Sequence, residues 1–338
     1  MKIAIDAMGG DLAPSEIVKG TLDAATATTD IAYILVGDKE KITAEIHRTT
    51  NTIPSNIIIE HASQVVGMDE PPVEALRKKR DSSIVKAVKL IRDGKADAFL
   101  SAGNTGAVVA AATFVIGLLE GVKRAGIAVP LPTEKGCAAL IDVGANTNCR
   151  PINLLQYGVM ASLYSKYVFN NVANPTVGLL NIGEESEKGT DISRQTYQSF
   201  KGSSLNFIGN IEGHDIFSGK CNVVVCDGFV GNTILKICEG LGTFLLREVS
   251  HKFSSDEKVL KGVSNVAEKI DYSEYGGAPL LGVNGIVIIC HGRSKAKAIT
   301  NAIKVAHYLA KNKMNEHIIE ELRKLSWWGR LQDWFTTK

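Results

Sequence analysis

The chain has 338 residues, 45% of them hydrophobic and 22% charged, with 38 basic and 36 acidic side chains and a formal net charge of +2. This is the balance of a folded globular protein, which excludes extensive disorder, and the near-neutral charge gives no global footprint for nucleic acid. The six cysteines show no CxxC spacing and no histidine at zinc-ligand distance, so they read as buried, reduced thiols.

Short apolar runs alternate with helical patterns from the start. The N-terminal run Lys2–Ile5 is strand-like and lacks the charge-then-apolar pattern of a signal peptide, which points to the cytoplasm. Strands are expected over Lys2–Asp6, Ala32–Val36, Asn56–Glu60, Ala98–Leu100, Ala138–Asp142, Thr176–Asn181, Asn206–Gly209, Asn222–Cys226 and Ile286–Cys290. Most are continuously apolar, as parallel strands covered by helices on both faces must be. Helices are expected over Ser15–Thr28, Ser82–Asp93, Asn104–Gly121, Asn153–Asn170 and Ser294–Lys311. The rhythm implies an open, doubly wound α/β sheet.

The apolar stretch Gly106–Leu119, taken as the longest in the chain, falls short of the roughly 20 residues that span a bilayer. From Asn232 to Ile270 the pattern is helical throughout, broken near Ser254–Asp256, and reads as a protruding pair of long helices with Ser255 or Ser254 capping the second. Such an arm serves as a dimer interface or packs on its own domain.

In open α/β sheets ligands bind beyond the carboxyl ends of the strands. The loops leaving those ends are rich in Gly and Asn: Asp6–Asp11, Ser101–Gly106, Asp142–Asn146, Asn181–Gly189, Asp227–Asn232 and His291–Ser294. Any one of them reads as a tight turn with a capping residue. Six on one sheet edge point instead to an anion site, where glycine admits close approach and helix starts offer N–H groups. No GxxxxGK[ST], intact GxGxxG, GxSxG or HExxH motif is present, which weakens ATPase, dinucleotide, serine-hydrolase and zinc-protease readings. What remains is positioning and charge stabilisation without a covalent enzyme intermediate.

The segments IAIDAMGGD, HASQVVGMDEPPVEALRKKRDSS, SAGNTGA, DVGAN, NIGEESEKG, IGNIEGHDIF, DGFVGN and YGGAPLLGVNG…HGRS follow one another between residues 3 and 294. In that order they closely resemble the PlsX family, the acyl-carrier-protein:phosphate acyltransferases of bacterial phospholipid synthesis. The resemblance runs nearly to Lys311. It implies the reaction of acyl-ACP with inorganic phosphate to give acyl phosphate and free ACP, with no metal or other cofactor. It also implies an open α/β/α sheet like that of phosphotransacetylases and isopropylmalate dehydrogenases, and a homodimer. The acyl phosphate product is amphiphilic, which brings in peripheral contact with the inner face of the cell membrane and a downstream glycerol-3-phosphate acyltransferase.

With phosphate as the anion, roles can be assigned. Lys188 is expected to neutralise phosphate and developing charge; otherwise it is a solvated loop lysine beside Glu184, Glu185 and Glu187. Asn232 is expected to donate to phosphate or the carbonyl oxygen, or to cap a helix. His291 is expected to protonate the leaving thiolate, or to be a core histidine. Gly9, Gly10, Asp11, Gly103, Asn104, Thr105, Gly106, Asn146, Gly183, Gly228 and Gly231 form the expected phosphate and acyl-thioester site. Asp6, Asp142 and Asp227, awkward beside phosphate, read as loop braces, a role open to Asp11 as well. Arg77, Lys78, Lys79, Arg80 and Lys86 form a basic run suited to docking acidic ACP, or an ordinary solvated helix face.

Residues 1–313 are taken as one acyltransferase domain and 314–338 as an amphipathic helical tail. In the tail Ile318, Leu322, Leu325, Trp328, Leu331 and Phe335 recur at helical spacing beside Trp327 and Trp334, which suits a membrane interface or packing on the domain.

Overall fold

The computed structural model describes the backbone of residues 1–170, 172–253, 256–270 and 276–336, and their side chains except at 170, 257, 267–270 and 326–336. The first half of the chain runs β1 (Lys2–Asp6), α1 (Ser15–Ala27), β2 (Ala32–Gly37), α2 (Lys39–Thr49), β3 (Ile57–His61), α3 (Pro72–Lys78), α4 (Ser83–Arg92), β4 (Ala98–Ser101), α5 (Thr105–Ala111), β5 (Gly126–Thr133), β6 (Gly136–Ile141) and α6 (Pro151–Tyr164). The second half runs β7 (Thr176–Leu180), α7 (Asp191–Lys201), β8 (Asn206–Ile211), α8 (Asp215–Ser218), β9 (Val223–Val225), α9 (Gly228–Lys252), α10 (Glu257–Ile270), β10 (Ala278–Leu281), β11 (Ile286–Ile289), α11 (Ala296–Lys311) and α12 (Met314–Thr336). The chain forms two compact units, Met1–Glu120 with Tyr275–Glu316, and Gly121–Glu274 with His317–Lys338. The expected single span 1–313 therefore contains parts of both.

In the first unit the strand order is β3-β2-β1-β4-β11-β10, parallel except for β10 against β11. The inner strands are apolar and shielded on both faces: Ile3, Ile5, Leu35, Phe99 and Leu100 have no exposed surface. Helix α4 turns Ile84, Val85, Val88 and Ile91 inward at helical spacing. Helices α1 and α11 approach closely because Gly20 has no side chain; a Cβ there would lie 2.7 Å from Ile299 Cβ. Helix α5 loosens into a π-helical turn over Ala112–Ile116 and stops at Gly117, earlier than the apolar pattern implied.

In the second unit the order is β5-β6-β9-β7-β8, parallel except for β5 against β6. Its core gathers Leu140, Ile141 and Val223–Val225 with Tyr157, Tyr164 and Phe200, all fully buried. The two antiparallel strands, β5 and β10, were not expected from the sequence. Pro130 and Pro132 lie inside β5, each removing a ladder donor, and a run containing them does not read as a strand.

The expected helix pair is present as α9 and α10, packed against each other. Ser254 and Ser255, expected to cap the second helix, lie outside the described residues; Asp256 accepts from the Lys258 and Val259 amides instead. Only Gly228, Gly231 and Leu235 of α9 are buried, while Ile237, Leu241, Phe244 and Leu245 are exposed. At 25 residues α9, not Gly106–Leu119, is the described helix long and apolar enough in composition to cross a bilayer. In α12 Met314, Ile318 and Leu322 are buried; the side chains of Trp327, Trp328, Leu331, Trp334 and Phe335 lie outside the described residues. Four cysteines are buried, whereas Cys137 and Cys238 are partly accessible.

Candidate active site

The loops at the carboxyl edge of the first unit are tied together by Asp6. Its carboxylate is fully buried at the end of β1 and accepts from the Met8 amide (3.1 Å) and the Ser101 hydroxyl (2.7 Å). Ser101 Oγ in turn accepts from the Gly103 amide at 3.0 Å. Burial pushes the Asp6 pKa up, and these donors oppose the shift. Gly9 fits against this knot; a Cβ there would sit 2.7 Å from the Gly103 nitrogen. Gly10 takes φ +101° while the next amide, of Asp11, reaches the Gly292 carbonyl (2.7 Å). The Asp11 carboxylate faces Arg293 at 3.9 Å, so it braces the loop and does not point to an anion.

Asn104, expected to contact substrate, does something else. Its Oδ1 caps α5 at the Ala107 amide, and its Nδ2 donates to the Gly67, Met68 and Glu70 carbonyls at 3.2, 2.8 and 3.0 Å. The side chain is used up in holding the 67–70 loop. Gly106 makes room for Pro72, whose Cγ would lie 2.5 Å from an added Cβ. Thr105 remains exposed at the α5 start. His291 is half-buried, and its Nδ1 accepts from the Arg293 amide (3.1 Å), which leaves the ring proton on Nε2.

The second unit repeats the device with Asp142 at the end of β6. This carboxylate has no exposed surface and accepts from the Ile127, Gly144, Ala145 and Asn146 amides at 3.0, 3.1, 3.0 and 2.7 Å. Burial raises its pKa against the pull of those amides. Asp227 caps α9 by accepting from the Phe229 and Val230 amides. Gly228 donates to the Asn146 carbonyl (2.8 Å), and a Cβ at Gly231 would overlap the Asp142 carbonyl. These glycines bring the protein's own loops together, where the sequence implied space for a ligand.

Asn232 is not the helix cap, because α9 starts four residues earlier. It is exposed, and a Cβ on Gly144 would lie 3.7 Å from its Oδ1, so its amide stands over the 142–146 loop. Asn146 is locked: Nδ2 donates to the Ala125 carbonyl (2.6 Å) and the Tyr157 hydroxyl (2.8 Å). Its Oδ1 accepts from Arg124 Nη1 at 3.3 Å. Arg124 lies ahead of a strand, outside the loops that follow strand ends. It precedes β5, and β5 runs antiparallel to β6 with Ala128 opposite Ile141, so its start shares an edge with the end of β6.

Lys188 sits on the loop after β7, braced from several sides. Asn181 Nδ2 donates to the Lys188 carbonyl (3.0 Å), Asn210 Nδ2 to that of Glu185 (2.8 Å) and Arg194 to that of Gly189 (2.7 Å). Glu184 pairs with Lys220, and Glu187 accepts from Ser186 Oγ at 2.8 Å, which lowers its pKa. Gly183 lies against the Lys188 stem, whose Cγ would be 3.1 Å from an added Cβ. The Lys188 ammonium is exposed and has no ion-pair partner among the described residues.

The basic run divides. Arg77 and Arg80 are exposed, and Lys78 pairs with Glu74 (2.6 Å) on the helix surface. Lys79 pairs with Glu70 and donates to the Val65 carbonyl (2.7 Å), so it is a loop brace. Lys86 lies 2.9 Å from Asp81, whose pKa is held well below the usual range by the Ser63 hydroxyl, the Ser63 amide and Lys86. Lys79 and Lys86 therefore leave the set of free docking cations.

A family model described as fatty acid synthesis protein matches residues 1–317. The chain is 49% identical over 335 residues to the phosphate acyltransferase of Pelotomaculum thermopropionicum, covering 96% of each chain. It is 47% identical over 335 residues to that of Dictyoglomus turgidum, covering 96% of this chain and 99% of the relative. Among solved structures it is similar to a phosphotransacetylase from Streptococcus pyogenes, with TM-score 0.66 at 16% identity over 92% of this chain and 94% of that one. That likeness establishes the α/β fold.

Proposed function

The chain belongs to the fatty acid synthesis protein family, among the phosphate acyltransferases, and from this we propose that it transfers a long-chain fatty acyl group from acyl-ACP to inorganic phosphate. The end-to-end match with those relatives carries the reading. A phosphate oxygen attacks the thioester carbonyl carbon, the C–S bond breaks, and acyl phosphate and the ACP thiol are released.

The protein's task is to hold a dianion against an electrophile and stabilise the oxyanion. Lys188, uncompensated and held by a braced loop, suits the developing charge. Asn232, exposed above the 142–146 loop, offers a side-chain amide to phosphate or the carbonyl oxygen. His291, on the loop after β11, is the residue proposed to protonate the leaving thiolate. Arg77, Lys78 and Arg80 supply the basic surface for ACP. The exposed apolar face of α9 supports a homodimer, and the amphiphilic product supports peripheral membrane contact and delivery to a downstream acyltransferase.

The test is release of free ACP thiol from palmitoyl-ACP as phosphate is varied. Absence of phosphate-dependent release refutes the reading, and preference for acetyl-CoA over palmitoyl-ACP would move the protein to the short-chain phosphotransacetylases whose fold it shares. Lys188→Ala is expected to lower turnover by about 100-fold or more, as loss of one charge-stabilising donor does; near-normal turnover removes Lys188 from the mechanism.

A further inference from the structure

We infer that Arg124 binds the phosphate nucleophile and that Asn146 positions it; this rests on phosphate being the acyl acceptor. Most of the backbone donors that the 142–146 and 227–231 loops could offer an anion are already spent. The amides of Gly144, Ala145 and Asn146 point at the Asp142 carboxylate, and those of Phe229 and Val230 at Asp227. The Gly228 amide is held by the Asn146 carbonyl, and that of Gly231 by the Asp227 carbonyl. The loops thus present carboxylates that carry their own donors, and an incoming dianion requires a side-chain cation.

Arg124 is the cation placed there. It is exposed, and among the described residues its guanidinium has no carboxylate partner; its hydrogen bond goes to the neutral Asn146 Oδ1 (3.3 Å). One N–H of the fork is used in that contact, and the remaining donors are free to engage two phosphate oxygens side by side, the geometry in which arginine exceeds lysine. Asn146 fixes the direction of the fork because its own amide is pinned by the Ala125 carbonyl and the Tyr157 hydroxyl. Tyr157 is buried, and burial first of all pushes its pKa far above the usual phenol value, so its hydroxyl stays protonated as part of this support.

The experiment is steady-state kinetics on the full-length protein with inorganic phosphate varied at saturating palmitoyl-ACP. Arg124→Ala is expected to raise the phosphate KM by about 10- to 100-fold, the loss of a charged hydrogen bond, with a smaller change in kcat. Arg124→Lys is expected to fall between the two, and it carries the test if the alanine variant does not fold. Asn146→Ala is expected to raise the phosphate KM with little change in kcat, because it frees the guanidinium without placing a carboxylate against the Ala125 carbonyl or Asp142; a fall in kcat at an unchanged phosphate KM would mark a merely structural role. An unchanged phosphate KM in folded, active Arg124→Ala overturns the assignment. If the wild-type protein releases no ACP with phosphate, the proposed reaction fails first. Calorimetric titration with inorganic phosphate then decides Arg124 independently, by binding to the wild type and loss of binding in the variant, or by equal behaviour of both.

Discussion

Replacing Asp142 with asparagine removes one oxygen and one charge from the centre of the second unit's loops. The carboxylate accepts three amides on Oδ1, from Ile127, Gly144 and Ala145, and the Asn146 amide on Oδ2. If the new NH2 group takes the Oδ2 place, it meets the Asn146 amide donor to donor and leaves one buried N–H without an acceptor. If the side chain flips, three N–H groups lose theirs. The cheaper orientation costs about 1–3 kcal/mol, the penalty of one buried unsatisfied donor. Relief of the desolvation that raises the Asp142 pKa offsets part of this, so the expected net loss is about 1–2 kcal/mol. Against a typical stability of about 5–15 kcal/mol this shifts a urea midpoint measurably. Amide hydrogen exchange reads the effect locally: Gly144, Ala145 and Asn146 are expected to lose protection in the variant. An unchanged midpoint together with full protection at those amides would show that Asp142 does not hold the loop.

Asp227→Ala removes the cap from α9 and is expected to cost about 1 kcal/mol in thermal unfolding, whereas Asn232→Ala, inside the helix, is expected to leave stability nearly unchanged while lowering activity. The reverse order would return the cap to Asn232. Asp6 gives a pH signature. Burial raises its folded pKa above the ordinary 3.8, so the stability it contributes is present below that value and is lost as pH rises through the folded pKa. Asp6→Asn abolishes this dependence, so as pH rises above the ordinary carboxylate range the variant's urea midpoint is expected to rise relative to wild type; a constant difference refutes the assignment.

The parallel strands were legible because burial on both faces leaves an unbroken apolar run, as in Ile3–Ile5 and Val223–Val225. The loops behind them were legible for the same reason, since each follows the last apolar residue. The roles inside the loops were less so. Asn104 and Asn146 have the composition of ligand-binding residues, but their amides are consumed by carbonyls distant in sequence, Gly67 to Glu70 for one and Ala125 for the other. Nothing local to Asn104 announces that pairing. Asp142 was read correctly as a brace on the argument that a carboxylate repels phosphate, although not that it takes four amides at once. Arg124 escaped because the antiparallel β5 reverses the rule for finding the active edge, and Pro130 and Pro132 concealed β5 itself. An arginine just ahead of a short apolar run, followed after a turn by Ala138–Asp142, is the signal that would have found it.

The Asp142 knot has a consequence for how substrate arrives. A phosphate-binding loop that relies on its own amides becomes ordered when the anion enters, and the association constant carries that ordering cost. Here the chain supplies an internal counter-ion to its amides, so the loop keeps its shape whether or not a ligand is present. At this loop what remains to be stilled on binding is the Arg124 side chain, about 1–2 kcal/mol of rotamer freedom, and its tether to Asn146 has already removed part of that. The 142–146 loop is therefore shaped before phosphate arrives, and what it contributes to binding is the direction of one guanidinium.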